Sequence, residues 1–494
     1  MTTQLGVAPW SQQRGHIPGL HVLFVFAAAF LLAAHLALGS NFFSVTLVIV
    51  AVVIGSIPLA QYGALNFGAL LVFFVTFRFV GFPLVAKLVM GQPLDSNLQQ
   101  PVSSFLVVLV GVLAYFVAFQ LAAHLNIGKP LLKPLVDAGR LRKVSYLATT
   151  VGLFAAFSVA STVSDTQSGV TVAKFFTPFL HLGLIAAVAA AIARPGRRRT
   201  WDAWVVTVAL LDIGFALVIN SRMALMETIL AYAVTVAAFQ GHLSRRLIVT
   251  LAVAGVALPL FITPIFLSVR STRSDLSWGE RIQATVDAAT SFGDTSRASN
   301  DLGGSDPNFY LQYYGRGQNT LERVSLINHV DLLKTGSDRA GHVGLEELSR
   351  SWERTLPRIL SPDKQSDYSE GDWLYCRLRI RCLFGGFATA PLIGKSYAAF
   401  GWLGVMLYPV IFGFALLVVI KKFGGLDMRH NIWSIFFILL VHDQFVEGDT
   451  HAYMVLIARS LPQDFIMLSL IALLVGANPL LRPKFMSKVI QYGS

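Results

Sequence analysis

The sequence predicts an all-α polytopic membrane protein with about 12 transmembrane helices and a helical extracytoplasmic cap, and three observations carry that prediction. Of 494 residues, 54% are hydrophobic and only 13% charged, about half the charged share of an ordinary soluble domain. The apolar residues fall in long blocks near the ~20 residues that cross a hydrocarbon core, and mean hydropathy is +0.62. The basic residues of the short connections collect between alternate blocks. Period-two alternation of the β-barrel kind is absent. In lipid each backbone polar group must find its partner within its own segment, so the blocks are helices.

Taken in order, the blocks are 20–38, 42–59, 62–80, 102–125, 144–162, 174–193, 203–219, 223–239, 247–269, 402–420, 432–446 and 462–476. The first follows a polar stretch poor in basic residues and is not followed by a small-residue cleavage site, so it reads as a signal anchor. With the N-terminus cytoplasmic, Lys129, Lys133, Arg140, Arg142 and Lys143 fall on the cytoplasmic side. So do Arg194, Arg197, Arg198, Arg199, Arg245, Arg246, Lys421, Lys422, Arg482, Lys484 and Lys488. That asymmetry is the positive-inside pattern and puts both termini in the cytoplasm. The net charge of +12 therefore suits anionic lipid headgroups rather than nucleic acid.

The chain divides into 1–269 (nine helices), 270–401 (an extracytoplasmic loop or cap) and 402–494 (three helices and a tail). The long loop exceeds the usual length of a structureless connection. Leu345, Leu348, Trp352 and Leu356 recur at helical spacing ahead of Pro357, and Leu321, Val324, Ile327 and Leu333 suggest a second helix. The only two cysteines, Cys376 and Cys382, lie in this loop. In an oxidising compartment they can close a small disulfide ring, or they pack reduced inside the cap.

Ionisable groups within a membrane bundle are costly and are functional candidates by default. Asp212, Arg222 and Glu227 lie close together in sequence. Arg222 stands in a tight outer turn, where it faces the mouth of the bundle or else snorkels and pairs with Glu227. Arg78, His21, His35 and His181 are isolated and read as structural. Beyond the ninth block come Arg270 and Arg273, then Arg316, Arg323, His329, Arg339, Arg350, Arg354 and Arg358. Arginine is suited to bidentate phosphate recognition, although most of these can pair with the loop's own carboxylates. His442, Asp443, Glu447, Asp449 and His451 form a mixed group able to supply a base, with spacing too loose for a typical metal site. No nucleotide-binding motif is present, and no cofactor or metal is expected.

Four stretches resemble the bacterial oligosaccharide repeat-unit polymerases, the O-antigen polymerase-like proteins of the O-antigen ligase/polymerase superfamily. These are the Ser221-Arg222 turn, the 268–273 stretch ending in Arg270-Ser271-Thr272-Arg273, the Pro357-Arg358…Pro362-Asp363-Lys364 stretch, and Gly394-Lys395-Ser396-Tyr397 leading into Phe400-Gly401-Trp402-Leu403-Gly404. The likeness covers about 203–413. Lys395 stands where the family often carries Glu, and no Arg is followed by Gly eleven positions later in the outer loops.

The resemblance implies a metal-independent membrane glycosyltransferase. It would polymerise polyprenyl-pyrophosphate-linked (undecaprenyl-type) oligosaccharide repeat units into O-antigen or exopolysaccharide at the outer leaflet of the bacterial inner membrane. A flippase and a chain-length regulator would be its pathway partners. Arg222, Arg270, Arg273 and Arg323 would serve the pyrophosphate, and His329 would be the base. Arg358, Lys364, Lys395 and Tyr397 would lie on substrate. The alternatives are an O-antigen-ligase-like glycan transferase dependent on His329 or His342, a lipid-linked oligosaccharide or solute transporter, and a scaffold of an export assembly. Paired halves of the transporter kind are absent.

Overall fold

The structure, a computed structural model, describes residues 20–161, 176–194, 199–218, 221–240, 325–356, 369–380, 382 and 390–476, with single helical positions at 249, 280, 283 and 287. Among the described residues every regular element is a helix. Six helical stretches are long and apolar enough to cross a membrane: Phe42–Tyr62, Phe67–Val89, Pro101–His124, Met223–Gln240, Leu392–Phe423 and Thr450–Leu474. Phe26–Ala37, Phe179–Ile192 and Ala203–Leu217 are apolar but shorter. A helix stands over each of the predicted blocks except 247–269, of which only the single helical position 249 is described.

In chain order the helices are α1 (Leu20–Ala37), α2 (Phe42–Tyr62), α3 (Phe67–Thr76), a π-turn (Phe77–Gly81), α4 (Phe82–Val89), α5 (Pro101–His124), α6 (Ala138–Ser161), α7 (Phe179–Ile192), α8 (Ala203–Val218) and α9 (Arg222–Gln240). Then come α10 (Ile327–Ala340), α11 (Leu345–Thr355), α12 (Glu370–Arg377), α13 (Leu392–Phe423), α14 (Ile432–Glu447), α15 (Thr450–Val455), a second π-turn (Leu456–Ser460) and α16 (Leu461–Leu474). Starts are set by side-chain caps: Asn66 accepts from the Ala69 N–H, Asn431 from Trp433 and Ser434, and Ser369 closes a capping box with Asp372.

Lipid offers no hydrophobic drive between helices, so close packing depends on small residues at the crossings. The α5–α13 pair meets at Gly111, where a Cβ would stand 2.7 Å from Ile393. The α6–α7 pair meets at Gly152, where a Cβ would stand 2.6 Å from the Leu180 nitrogen.

Contacts between connections sort the bundle into two polar ends. At one end, Lys421 donates to the carbonyls of Ala122, Ala123 and Leu125 at 2.8, 2.8 and 2.9 Å. It thereby satisfies the exposed C-terminal carbonyls of α5 and complements their dipole. Lys422 reaches the Ile127 carbonyl, the Trp433 indole donates to the Lys133 carbonyl, and Arg142 pairs with Asp202. Among the described residues, the short-loop cations Lys133, Arg142, Arg194, Lys421 and Lys422 stand at or beside this end. The opposite end carries α10, α11 and α12. There Asp331 accepts from the Gln99 and Gln100 N–H groups at 2.8 and 2.9 Å and from Ser104 Oγ at 2.7 Å, capping the start of α5 with a carboxylate.

Two expectations are corrected. The segment preceding block 402–420 is not loop. A single long element, Leu392–Phe423, runs through it, broken by non-helical geometry at Phe400 (φ −136, ψ 20) and Gly401 (φ 61, ψ −140). The Gly401 conformation excludes a side chain on steric grounds, so the glycine permits the bend. The helix expected over 345–356 exists, but its inward stripe is Glu347, Ser351 and Thr355, while Leu345 and Trp352 are 71% and 55% exposed. A buried cation on α13, Lys395, decides this orientation by drawing Glu347 inward.

Candidate active site at the capped end

Two ion-pair centres lie where α10–α12 meet the bundle, joined by Glu447-Gly448-Asp449 between α14 and α15. Gly448 gives its carbonyl to the Leu392 N–H at 3.0 Å. The residues on either side of it turn to different partners: Glu447 to Arg78, and Asp449 to Lys395.

The Lys395 centre is closed. The ammonium has no exposed surface and lies 2.9 Å from Glu347, 3.5 Å from Asp449 and 3.6 Å from Glu370. Tyr408 donates to the other oxygen of Glu347 at 3.2 Å, and Arg354 and Arg350 approach Glu370 at 3.2 and 3.6 Å. Three cations thus meet three carboxylates, the balance that lets charge be buried. Burial pushes the Glu370 carboxyl above its usual range, against the opposing pull of Lys395, Arg354 and Arg350. Lys395, expected on substrate, is thus engaged by α11, α12 and the start of α15.

The Arg78 centre is more open. Arg78 sits in the π-turn Phe77–Gly81, a geometry often found at functional positions, and its carbonyl receives the Leu326 N–H at the head of α10. Its guanidinium pairs with Glu447, and the two side chains are 22% and 27% exposed. Asp443, a turn earlier on α14, lies within electrostatic reach of its neighbour His442 and of Arg78. His329 on α10 is buried, with Nδ1 2.9 Å from the Tyr375 hydroxyl. Burial first, and then the Arg78 charge, holds its imidazole down to about 4. It is therefore neutral near pH 7, a weak base already tied to a phenol.

Beside these centres runs an aromatic lip. The Tyr397 hydroxyl donates to Asp338 at 3.0 Å, and its ring meets those of His342 and Trp402 edge-on at 5.7 and 5.5 Å. His342 is exposed and held by Ser337 at 2.7 Å. Cys376 and Cys382 form a disulfide, the oxidised alternative of the two weighed above.

Of the remaining expected site residues, Arg270, Arg273, Arg323, Arg358 and Lys364 lie outside the described residues, as does the side chain of Arg222, whose backbone opens α9. The five acids and histidines of 442–451 do not form one group, although Asp443 and Glu447 both lie by Arg78. Asp449 goes to Lys395, His451 to Ser351 and Thr355, and Glu447 to Arg78. Sequence reasoning set Arg78 aside as structural, counted Glu347 only among the loop's carboxylates, and did not single out Glu370. An arginine alone in an apolar span was a sufficient signal for Arg78. Glu347 and Glu370 carried none, because their partner is distant in sequence. No protein-family model, curated protein or solved structure matches the chain.

Proposed function

We propose that the chain is a membrane glycosyltransferase that joins polyprenyl-pyrophosphate-linked oligosaccharide repeat units at the outer leaflet of a bacterial inner membrane. The reading rests on the resemblance of 203–413 to repeat-unit polymerases. The observation that carries it furthest is the partly open Arg78–Glu447 pair beneath the helical cap. A departing polyprenyl pyrophosphate develops negative charge, and fixed guanidinium groups at such a mouth stabilise it, commonly the largest catalytic contribution. Arg78 joins Arg222, Arg270, Arg273 and Arg323 as a pyrophosphate candidate. Tyr397 and the exposed His342 line a surface fit for the acceptor sugar. Lys395 is reassigned to holding the cap.

The test is to incubate the purified chain with a polyprenyl-pyrophosphate-linked oligosaccharide, without nucleotide or added metal, and to separate the products by length. A ladder that Arg222→Ala, Arg273→Ala and Arg78→Gln abolish, each in folded protein, supports the reading. No extension with several natural donors overturns it.

A glycan ligase is the second reading, favoured by His342, which is exposed, oriented by Ser337 and set against Tyr397. In that case His342→Ala abolishes transfer to a non-identical acceptor, and no ladder forms.

A further inference from the structure

His181, on α7, is clamped between two carboxylates from neighbouring helices. Its Nδ1 lies 2.7 Å from Asp212 Oδ2 on α8, and its Nε2 lies 3.2 Å from Glu227 Oε2 on α9. Thr228 Oγ1 lies 2.9 Å from the same Asp212 oxygen and 3.0 Å from the Ala224 carbonyl, and its one proton can serve either. The proton count follows from these contacts. A neutral imidazole has one N–H and can serve one carboxylate, so hydrogen bonds at both nitrogens require a second proton. The Asp212 carboxylate accepts from Nδ1, and a second time when the Thr228 proton is turned to it rather than to the Ala224 carbonyl.

We infer that His181, Asp212 and Glu227 form a proton-binding site inside the bundle, loaded as an imidazolium and emptied through Glu227. When the proton leaves Nε2, two acceptors face each other at 3.2 Å and Glu227 must turn away. Proton release is thereby coupled to the first turns of α9, which begins at Arg222. Access is graded in the same direction: the Glu227 side chain is 20% exposed, that of His181 10% and that of Asp212 2%. Of the other elements packed on α7, α14 brings Asp443 within electrostatic reach of Glu227, and α6 presents the hydroxyls of Ser145 and Thr149 near Gly183. The site's ligand is a proton, and the inference does not rest on the proposed glycosyl transfer.

The test is solid-state NMR of the full-length chain, labelled with nitrogen-15 histidine, in lipid nanodiscs across about pH 6 to 10. Ordinary histidines are neutral by about pH 8. The expected result is one imidazolium per chain at that pH, lost in His181→Gln. In Glu227→Gln its proton affinity falls by about tenfold or more. The inference is overturned if every histidine of the unmodified chain is neutral at about pH 8, a result that needs no variant to fold. It also fails if the imidazolium survives in His181→Gln, or keeps its affinity in Glu227→Gln with helical content intact.

Discussion

Lys395 and Glu347 face each other at 2.9 Å with neither side chain exposed to any measurable extent. The pair ties α11 to α13 through a lysine enclosed within an apolar stretch of α13. Around it, Asp449 and Glu370 complete a charge balance that no single element supplies.

Removing one member of that balance leaves the rest uncompensated. Lys395→Met is expected to cost about 3–5 kcal/mol, read as a lower unfolding midpoint in detergent. Combining it with Glu347→Leu should recover a measurable part of the loss. A double variant no better than either single one would show that the pair does not act as a unit.

The bend in α13 depends on Gly401, at φ 61 and ψ −140, where an added Cβ would meet His342 Nε2 at 2.9 Å. Gly401→Ala is expected to destabilise the fold by about 1–3 kcal/mol. Gly214→Ala, on α8 with open space around it, is the control and should leave the midpoint nearly unchanged.

His329 makes stability fall in acid. Its folded imidazole protonates only near 4, because of burial and then Arg78, whereas the unfolded one does so near 6.5. The unfolded state binds more protons between those values, so the contribution is complete above about pH 6.5 and is lost as pH drops through about 4. The loss is on the order of 3 kcal/mol. His329→Gln should flatten this limb of the stability profile, and an unchanged acid limb would assign it to other groups.

The Cys376–Cys382 bridge closes a ring of few residues. In the chain-entropy view such a loop contributes roughly 2 kcal/mol. The paired Cys376→Ser, Cys382→Ser substitution should lower stability by about that much, and thiol labelling should find free cysteines only after reduction.

The apolar helices were legible because each carries its own evidence, a run of consecutive side chains that water rejects, and six of them are long and apolar enough to cross a membrane. The two charged centres were not. Lys395 looked like a substrate contact from its motif, and the stripe Leu345, Leu348, Trp352 announced a helix without saying which face packs. Helical periodicity says which residues share a face but not which face is turned inward when a buried ammonium waits on the other side. His181, similarly, looked isolated because Asp212 and Glu227 belong to two other helices.

What the sequence determined by itself is the helical class, the placement of most helices, the gathering of short-loop cations and the pair of cysteines able to bridge. Tertiary structure alone decided that Arg78 meets Glu447, that Lys395 is enclosed by three carboxylates, and that His181 sits between two more. The physical reason is range. Hydropathy and period are properties of consecutive residues, whereas a buried charge is tolerable only beside its opposite. Those opposites come together only when helices far apart in the chain are packed.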